Sequence, residues 1–425
     1  MSSRVELEPG KTLLLDGPAS AAIVSGRVSV FGAELGPRKR VVVRKGRRLP
    51  VEALEPSVLE VITGLGGAAT VAEGSSIPDS WREAAHEILS IEGPVRVMIL
   101  GGVDVGKTSL CTYLANEALK AGRSVGIIDA DVGQSDIGPP CTIGFAKMEK
   151  PLGDLADLRA QHVFFLGDKT PSYMVDRALE GIRAMMEAAT REGVDLLIVN
   201  TDGWIHGREA AEYKKAIASI VEPHLILALK RGDELDHIIG ALEGWEIREL
   251  EVSPFVRERD REVRRELRAL GYRRYLDGAK AISVNLDWIE LEGHLPGVGL
   301  KPSRRLAALA SSILGFEPLY CGERQDKAVL VVGEEDKVDP SALDALEAEL
   351  GKPVKVVRKG EEEGLLVALY DKGGRFLGIG VVLCTDYRKR SVRVLTPVEE
   401  GAVAKMCVGR IKLSPDGEEL GGPRA

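Results

Sequence analysis

The stretch "VRVMILGGVDVGKTSLCTYL", residues 95–114, decides the fold of the central part of the chain. The run "VMIL" has the composition of a buried strand, and "LCTYLANEAL" carries apolar residues at helical intervals. Between them, Gly101, Gly106, Lys107 and Thr108 match the spacing G-x-x-x-x-G-K-[ST]. A strand, a glycine-rich loop and a helix in this order predict a phosphate-binding loop, because amide groups at a helix start attract anions. A chance match in a glycine-rich chain is the alternative, and the flanking strand and helix count against it.

The chemistry expected of this P-loop follows from its residue types. Glycines let the backbone wrap an anion, Lys107 reaches the β- and γ-phosphates, and the hydroxyl of Thr108 ligates Mg²⁺. The predicted nucleotide-binding residues are Gly101, Gly102, Val103, Asp104, Val105, Gly106, Lys107, Thr108 and Ser109. The sequence therefore predicts a site for a nucleoside triphosphate, ATP or GTP, together with Mg²⁺.

The bulk composition narrows the class of protein. A chain of 425 residues is too long for one ordinary core, so two or three domains are expected. The net charge of −8 makes a global polycationic surface impossible, so any nucleic-acid binding requires a local basic patch. The five cysteines form no C-x-x-C pair, which argues against a zinc site or a disulfide framework. We expect a cytoplasmic protein without membrane association, since neither a signal-peptide core nor a bilayer-spanning apolar run occurs. Three Asn and three Gln against many Arg and Glu are typical of a thermophile.

The pattern along the chain predicts three domains. Short β-type runs separated by turn residues predict an N-terminal β-sandwich-like domain over residues 1–76. Strands and helices alternate over residues 77–285, which predicts a P-loop domain with a doubly wound, mostly parallel sheet. Its expected helices are 80–91, 107–121, 171–192, 207–221 and 257–274. β-type runs return over residues 286–425, with one expected helix at 340–350, and predict a C-terminal β-rich domain. The predicted fold class is α/β, with a central P-loop sheet flanked by two β-rich domains.

Two acids follow the next apolar strand, in "VGIIDADVGQSDIGPP". Asp129 and Asp131 stand at alternate positions where the strand ends, and ligands of open α/β sheets bind at that end. A carboxylate there can hold the Mg²⁺ shell or accept a proton from an attacking hydroxyl. Solvated acids in a turn are the alternative interpretation.

A third strand, in "LLIVNTDGWIHG", ends in a loop that contains Trp204. One interpretation is a buried tryptophan that packs against the next helix. The other is a stacking platform for a nucleic-acid base, because every base offers a π-face. His206 nearby is assigned no role.

The strongest basic cluster in this acidic chain lies at residues 256–276, in "VRERDREVRRELRALGYRRYL". Its arginines are Arg257, Arg259, Arg261, Arg264, Arg265, Arg268, Arg273 and Arg274. Arg264 and Arg268 are four residues apart and share one face of a helix. The segment is either a solvated helix laced with Glu pairs or a lid that brings guanidinium groups to phosphates.

Taken together, "GGVDVGKTS", "DADVGQS", "NTDGW" and "RRELR" resemble the polynucleotide 5′-hydroxyl kinases related to the kinase subunit of eukaryotic mRNA cleavage factor and tRNA splicing. The three-part layout is similar too, and "VSVFGAEL" is similar to the start of the family's N-terminal domain. Two departures are visible: Gly102 stands where many members have proline, and the arginine segment is slightly longer than in eukaryotic members.

The resemblance implies a role for several residues of this chain. Lys107 and Thr108 would hold the γ-phosphate and Mg²⁺, with Asp129 beside the metal. Asp131 would orient and deprotonate an RNA 5′-hydroxyl, and Arg264 and Arg268 would form the lid. The implied substrate-binding residues are Gln134 beside the acid, Thr170 in "GDKTPS" and Trp204 as the stacking residue.

The expected function is transfer of the γ-phosphate of an NTP to the 5′-hydroxyl of RNA, or of DNA, within RNA processing and with possible protein partners. Two other classes stay open: an ATP-binding scaffold that has lost turnover, and a P-loop GTPase or partition-type ATPase. Intact Lys107, Thr108 and Asp131 argue against the scaffold. The absence of a suitably placed N-K-x-D motif argues against the GTPase.

Overall fold

Residues 2–73 form two antiparallel sheets in the computed structural model of the protein, which describes residues 2–298 and 300–421 and, at Lys301, only the backbone. The strands are β1 (Ser2–Leu7), β2 (Lys11–Asp16), β3 (Ala19–Ser25), β4 (Val28–Val30), β5 (Ala33–Leu35), β6 (Arg40–Val43), β7 (Arg48–Ala53), β8 (Ser57–Thr63) and β9 (Ala68–Glu73). One sheet has the order β1-β8-β3-β6 and the other β5-β4-β7-β2-β9. Alternate residues such as Leu13, Leu15 and Val61 are fully buried, as expected for strands that bury one face.

The P-loop region follows as an alternation of helices and strands. Its elements are α1 (Asp79–Ser90), β10 (Val95–Gly101), α2 (Lys107–Lys120), β11 (Val125–Ala130), β12 (Thr142–Met148), β13 (His162–Phe165), α3 (Val175–Glu192), β14 (Leu196–Thr201), α4 (Arg208–Val221), β15 (Leu225–Lys230), α5 (Asp236–Ala241), β16 (Ile247–Glu251) and α6 (Arg261–Leu276). The sheet order is β13-β12-β11-β14-β10-β15-β16, and within it the five strands β11, β14, β10, β15 and β16 run parallel. The carboxyl ends of β10, β11 and β14 therefore meet at one edge, where P-loop ligands bind.

Several element boundaries differ from the sequence prediction. The strand β12 and the helix α5 were not expected, and β12 runs antiparallel to both β11 and β13. The helix predicted from 171 begins at Val175, because Thr170 caps a separate 3₁₀ turn at Pro171–Tyr173. The helix predicted from 257 begins at Arg261. The Asp260 carboxylate accepts a hydrogen bond from the Val263 backbone amide at 2.7 Å, which is the contact that an N-cap residue makes at the start of a helix.

The chain divides into two compact units between Arg268 and Ala269, and the second unit holds two further sheets. Its elements after α6 are β17 (Lys280–Asn285), β18 (Glu290–Glu292), β19 (Lys301–Pro302), α7 (Arg304–Leu314), β20 (Tyr320–Glu323), β21 (Ala328–Val332), α8 (Pro340–Leu350), β22 (Val354–Arg358), β23 (Leu365–Tyr370), β24 (Phe376–Asp386), β25 (Ser391–Thr396), β26 (Lys405–Leu413) and β27 (Glu419–Leu420). The orders are β17-β25-β24-β23-β26-β18, with β27 beside β26, and β19-β20-β21-β22. The prediction of one helix in this region was wrong, because α7 also packs its Leu306 and Ala310 against the smaller sheet.

The predicted fold class is confirmed: the parallel P-loop sheet lies between β-rich segments of the sequence. The division into domains at residues 76 and 285 stays a prediction. Strand β17, which precedes the expected boundary at 285, pairs with β25. No helix within residues 2–298 and 300–421 combines the length and the apolar character needed to cross a membrane.

Candidate active site

The P-loop joins the end of β10 to the start of α2. Gly106 caps α2 with φ of +99°, a left-handed conformation that favours glycine, and a Cβ there would lie 3.2 Å from Val256. The Lys107 ammonium donates to the Gly102 carbonyl at 2.6 Å, and the residue is only 6% exposed. Burial lowers the pKa of Lys107, although the Asp131 carboxylate opposes this shift. The ammonium group of Lys107 is therefore hydrogen-bonded within its own P-loop.

A cleft in the first unit lies along the P-loop and collects residues from distant parts of the sequence. Among the predicted site residues, Val103, Asp104, Gly106, Lys107, Thr108, Ser109, Asp131 and Gln134 line it. The N-terminal region 2–73 adds Leu14, Phe31, Arg47, Arg48 and Pro50, and the segment before α6 adds Phe255, Val256, Arg257 and Arg259. The cleft thus pairs an anion-binding loop with basic and apolar walls.

The register of β11 and β14 places Asp129 opposite Asn200. The Asn200 amide nitrogen lies 3.1 Å from the Asp129 carboxylate and 3.5 Å from the Thr108 hydroxyl, so it links these two side chains. Asp129 is fully buried and also accepts the Ser135 hydroxyl and the backbone amides of Asp131 and Asp136. Burial, with the neighbouring carboxylates of Asp136 and Asp131, raises the pKa of Asp129 to about 7. Asn200 also holds a buried Oδ1 that has no hydrogen-bond partner in the part of the chain that the structure describes.

Asp131 stands two residues further along, in the turn that lines the cleft. Its carboxylate accepts the Gln134 amide at 3.0 Å. Burial raises the pKa of Asp131, and the Lys107 ammonium partly offsets that effect. A carboxylate with a raised pKa is a better proton acceptor than an ordinary one, provided that it is ionised at the working pH. Gln134 reaches across to the arginine segment, where its amide nitrogen lies 3.3 Å from the Arg264 carbonyl oxygen.

The arginine segment meets the P-loop through Asp104. The Asp104 carboxylate contacts Arg259 Nη2 at 2.6 Å and Arg264 Nη1 at 3.1 Å. Arg268 lies one turn after Arg264 on α6 and is half-buried. The structure thus brings Arg264 into contact with the P-loop residue Asp104. Neither Arg264 nor Arg268 is among the residues that line the cleft.

Trp204 and Thr170 also lie outside the lining of the cleft. Trp204 is half-buried and its ring lies 5.6 Å from the ring of Tyr213. The loop that carries it packs on the P-loop, since a Cβ on Gly203 would lie 2.6 Å from a Val103 methyl. Thr170 follows Lys169, whose carbonyl oxygen would lie 3.0 Å from a Cβ on Gly133, beside Asp131.

An ion pair that the sequence did not predict involves Asp202, in the loop that carries Trp204. The Lys214 ammonium lies 2.9 Å from the Asp202 carboxylate, and both side chains are buried. Asn200 and Arg259 were likewise given no role, although each touches a predicted site residue. The quoted motif "NTDGW" contains Asn200, but only the strand register shows that it faces Asp129. Within residues 2–298 and 300–421, no group of three or more His, Cys, Asp or Glu side chains is placed to hold a metal ion.

Comparisons with known proteins show the family to which the chain belongs. Residues 101–278 match the family model described as mRNA cleavage and polyadenylation factor CLP1 P-loop. The chain is similar to a polyribonucleotide 5′-hydroxyl-kinase of Pyrococcus abyssi, with 34% identity over 82% of this chain and 96% of the relative. It is also similar to a polyribonucleotide 5′-hydroxyl-kinase of Pyrococcus furiosus, with 33% identity over 81% of this chain and 95% of the relative.

More distant similarity extends to eukaryotic proteins. A polyribonucleotide 5′-hydroxyl-kinase Clp1 of Xenopus tropicalis is 27% identical over 66% of this chain and 68% of its own length. A solved structure of Clp1p in complex with Pcf11p is similar in fold, with a TM-score of 0.68 and 18% identity, over 97% of this chain and 98% of that chain. The resemblance drawn from the four sequence motifs is thereby confirmed. Given the extent of its identity to the Pyrococcus proteins, the chain belongs to the polyribonucleotide 5′-hydroxyl-kinase family.

Proposed function

We propose that this chain is a cytoplasmic enzyme that transfers the γ-phosphate of ATP to the 5′-hydroxyl of RNA. One observation carries the proposal: Lys107, Thr108 and Asp131 line a single cleft at the carboxyl ends of β10 and β11, which flank β14 in the sheet. A P-loop supplies the phosphate donor site, and the aspartate supplies a proton acceptor beside it. The names of its relatives support the RNA 5′-hydroxyl as the acceptor.

The chemistry assigned to the chain is an in-line displacement at the γ-phosphorus. Asp131 accepts the proton of the attacking 5′-hydroxyl while that oxygen forms a bond to the γ-phosphorus, and the bond to the β,γ-bridging oxygen breaks. Lys107 leaves the Gly102 carbonyl for the β- and γ-phosphates, and Arg264 stabilises the charge on the transferred group. Trp204 stacks on a base of the RNA, with Gln134 and Thr170 lining its path and Arg268 extending the lid.

The residues around Thr108 fit a Mg²⁺ ion. Thr108 would ligate the metal, and Asn200 and Asp129 would support it, because the buried Asn200 Oδ1 has no hydrogen-bond partner among the described residues. Most ligands of Mg²⁺ in such sites are waters and phosphate oxygens, so a single protein hydroxyl is sufficient. When bound, the metal would neutralise charge on the phosphates.

The decisive experiment follows the γ-phosphate. The protein is incubated with Mg²⁺, γ-labelled ATP and an RNA that carries a 5′-hydroxyl, with the same RNA bearing a 5′-phosphate as the matched control. We expect label on the 5′-hydroxyl RNA only, and none with the Lys107→Ala variant. Label released as inorganic phosphate would favour an ATPase, and no consumption of ATP would favour the scaffold. Replacing ATP with GTP, and RNA with DNA, tests the specificity for the phosphate donor and for the acceptor.

Protein partners in RNA processing form part of the proposal, supported by the similar fold of Clp1p in its complex with Pcf11p.

A further inference from the structure

Asp104 lies within the P-loop, but its side chain belongs to a different set of contacts. Its carboxylate is 4% exposed and accepts from the Arg259 backbone amide at 3.0 Å and from Arg259 Nε at 2.8 Å. It also contacts Arg264 Nη1 at 3.1 Å. One buried carboxylate therefore receives donors from two arginines that are five residues apart.

The two arginines are held unequally. Arg259 gives two guanidinium nitrogens and its backbone amide to Asp104, which is a chelating arrangement. Arg264 gives only Nη1, which it shares with the Arg259 carbonyl oxygen at 2.6 Å. Its other guanidinium N–H groups have no hydrogen-bond partner in residues 2–298 and 300–421, and its side chain is 27% exposed. With one negative and two positive charges, the cluster retains a net positive charge beside the P-loop.

We infer that Asp104 is a positioning residue for phosphoryl transfer: it clamps Arg259 onto the P-loop so that Arg264 is presented to the transferred phosphoryl group. This inference rests on the proposed function. Arginines that stabilise a developing charge act best when they are fixed before the reaction begins. A carboxylate on the loop that wraps the phosphates links the position of the arginines directly to that of the nucleotide.

The arginine segment has other attachments that serve as controls. The Gln134 amide contacts the Arg264 carbonyl, and the Lys45 ammonium pairs with the Glu266 carboxylate at 2.5 Å. The Lys45–Glu266 pair is 58% and 49% exposed, so it contributes little. Glu266→Gln thus removes an ion pair from the same helix without touching the P-loop.

The test compares Asp104→Asn with Glu266→Gln. Asn tolerates the left-handed backbone of Asp104, whose φ is +56°, so the substitution removes the charge and preserves the loop. We expect kcat for RNA to fall about 10- to 100-fold in Asp104→Asn, as for loss of a buried charge-assisted hydrogen bond. ATP affinity should change far less, and Glu266→Gln should match wild type.

A second readout needs no RNA and no turnover. Hydrogen–deuterium exchange of peptides within residues 257–268 should speed up in Asp104→Asn and stay unchanged in Glu266→Gln. Unchanged kcat in Asp104→Asn, or slowed turnover with unchanged exchange, would overturn the inference. Failure of the wild-type protein to label RNA would instead refute the proposed function, and faster exchange would still show that Asp104 holds the arginines.

Discussion

Asn200 and Asp129 face each other across adjacent parallel strands, and the Asn200 amide nitrogen lies 3.1 Å from the Asp129 carboxylate. The same nitrogen lies 3.5 Å from the Thr108 hydroxyl. The P-loop threonine is thereby connected to a buried acid on a strand two positions away in the sheet. Through this arrangement, a fully buried aspartate would influence the Mg²⁺ ion of the proposed function by way of Asn200 and Thr108.

Replacing Asn200 should weaken metal-dependent nucleotide binding. Asn200→Ala breaks the link between Thr108 and Asp129, and outer-shell partners of this kind are worth about 10- to 100-fold in metal affinity. We expect the Mg²⁺ concentration needed for half-maximal ATP binding, measured by titration calorimetry, to rise by this factor. Thr201→Val is the matched control, because Thr201 lies in the same strand as Asn200 but donates to the Ile99 carbonyl of β10 and has no link to Thr108. An equal Mg²⁺ requirement in both variants would rule out the connecting role.

Asp129 should make the stability of the protein depend on pH. Burial, together with Asp136 and Asp131, raises the pKa of Asp129 from 3.8 to about 7. Because the folded-state pKa lies above the unfolded one, the stabilising contribution of the carboxyl group is complete below its unfolded pKa. It is then lost as the pH rises through about 7. Melting temperatures measured across this range should therefore fall in wild type relative to Asp129→Asn as the pH increases. Parallel profiles for the two proteins would show that Asp129 keeps an ordinary pKa.

Replacing Trp204 tests whether the substrate is a nucleic acid or a small molecule. Stacking on a base is worth about 1–3 kcal/mol, so Trp204→Ala should raise KM for a 5′-hydroxyl oligonucleotide about ten-fold or more. ATP affinity should stay close to wild type. The melting temperature should drop by only a few degrees, because the ring is only half-buried and loses little beyond its contact with Tyr213. Trp288→Ala is the control, since Trp288 is 83% exposed in the second unit. A large fall in melting temperature with an unchanged KM for the oligonucleotide would show that Trp204 is purely structural.

The sequence was most informative where function depends on local spacing. The interval between Gly101 and Lys107 predicts the P-loop, and the alternation of strands and helices predicts its parallel sheet. The roles of Asn200 and Asp104 could not be predicted in this way. The first depends on the register between β11 and β14, and the second on where an irregular segment around Arg259 meets the P-loop.

Helix α7 was missed for a different reason, because its signals were present. Ser303 caps it at the start and Gly315 ends it in a left-handed conformation. Apolar residues also recur at helical intervals in "RRLAALASSIL". β-type runs on both sides of this segment favour a β-rich interpretation. The unexpected strand β12 instead depends on long-range pairing, with β11 on one side and β13 on the other.

In the proposed mechanism, Asp131 accepts the proton of the RNA 5′-hydroxyl in the cleft along the P-loop. The most direct measurement is the single-turnover rate of label transfer from γ-labelled ATP to 5′-hydroxyl RNA, at saturating nucleotide, in wild type and Asp131→Asn. A positioned general base is worth about 100-fold or more, so the variant should be slower by at least that factor, with ATP affinity little changed. Asp195→Asn, at the opposite end of the sheet where Asp195 bonds Ser124, should transfer label at the wild-type rate. A collapse of ATP binding with normal transfer at saturation would rule out Asp131 as the proton acceptor and make it a residue of the metal site.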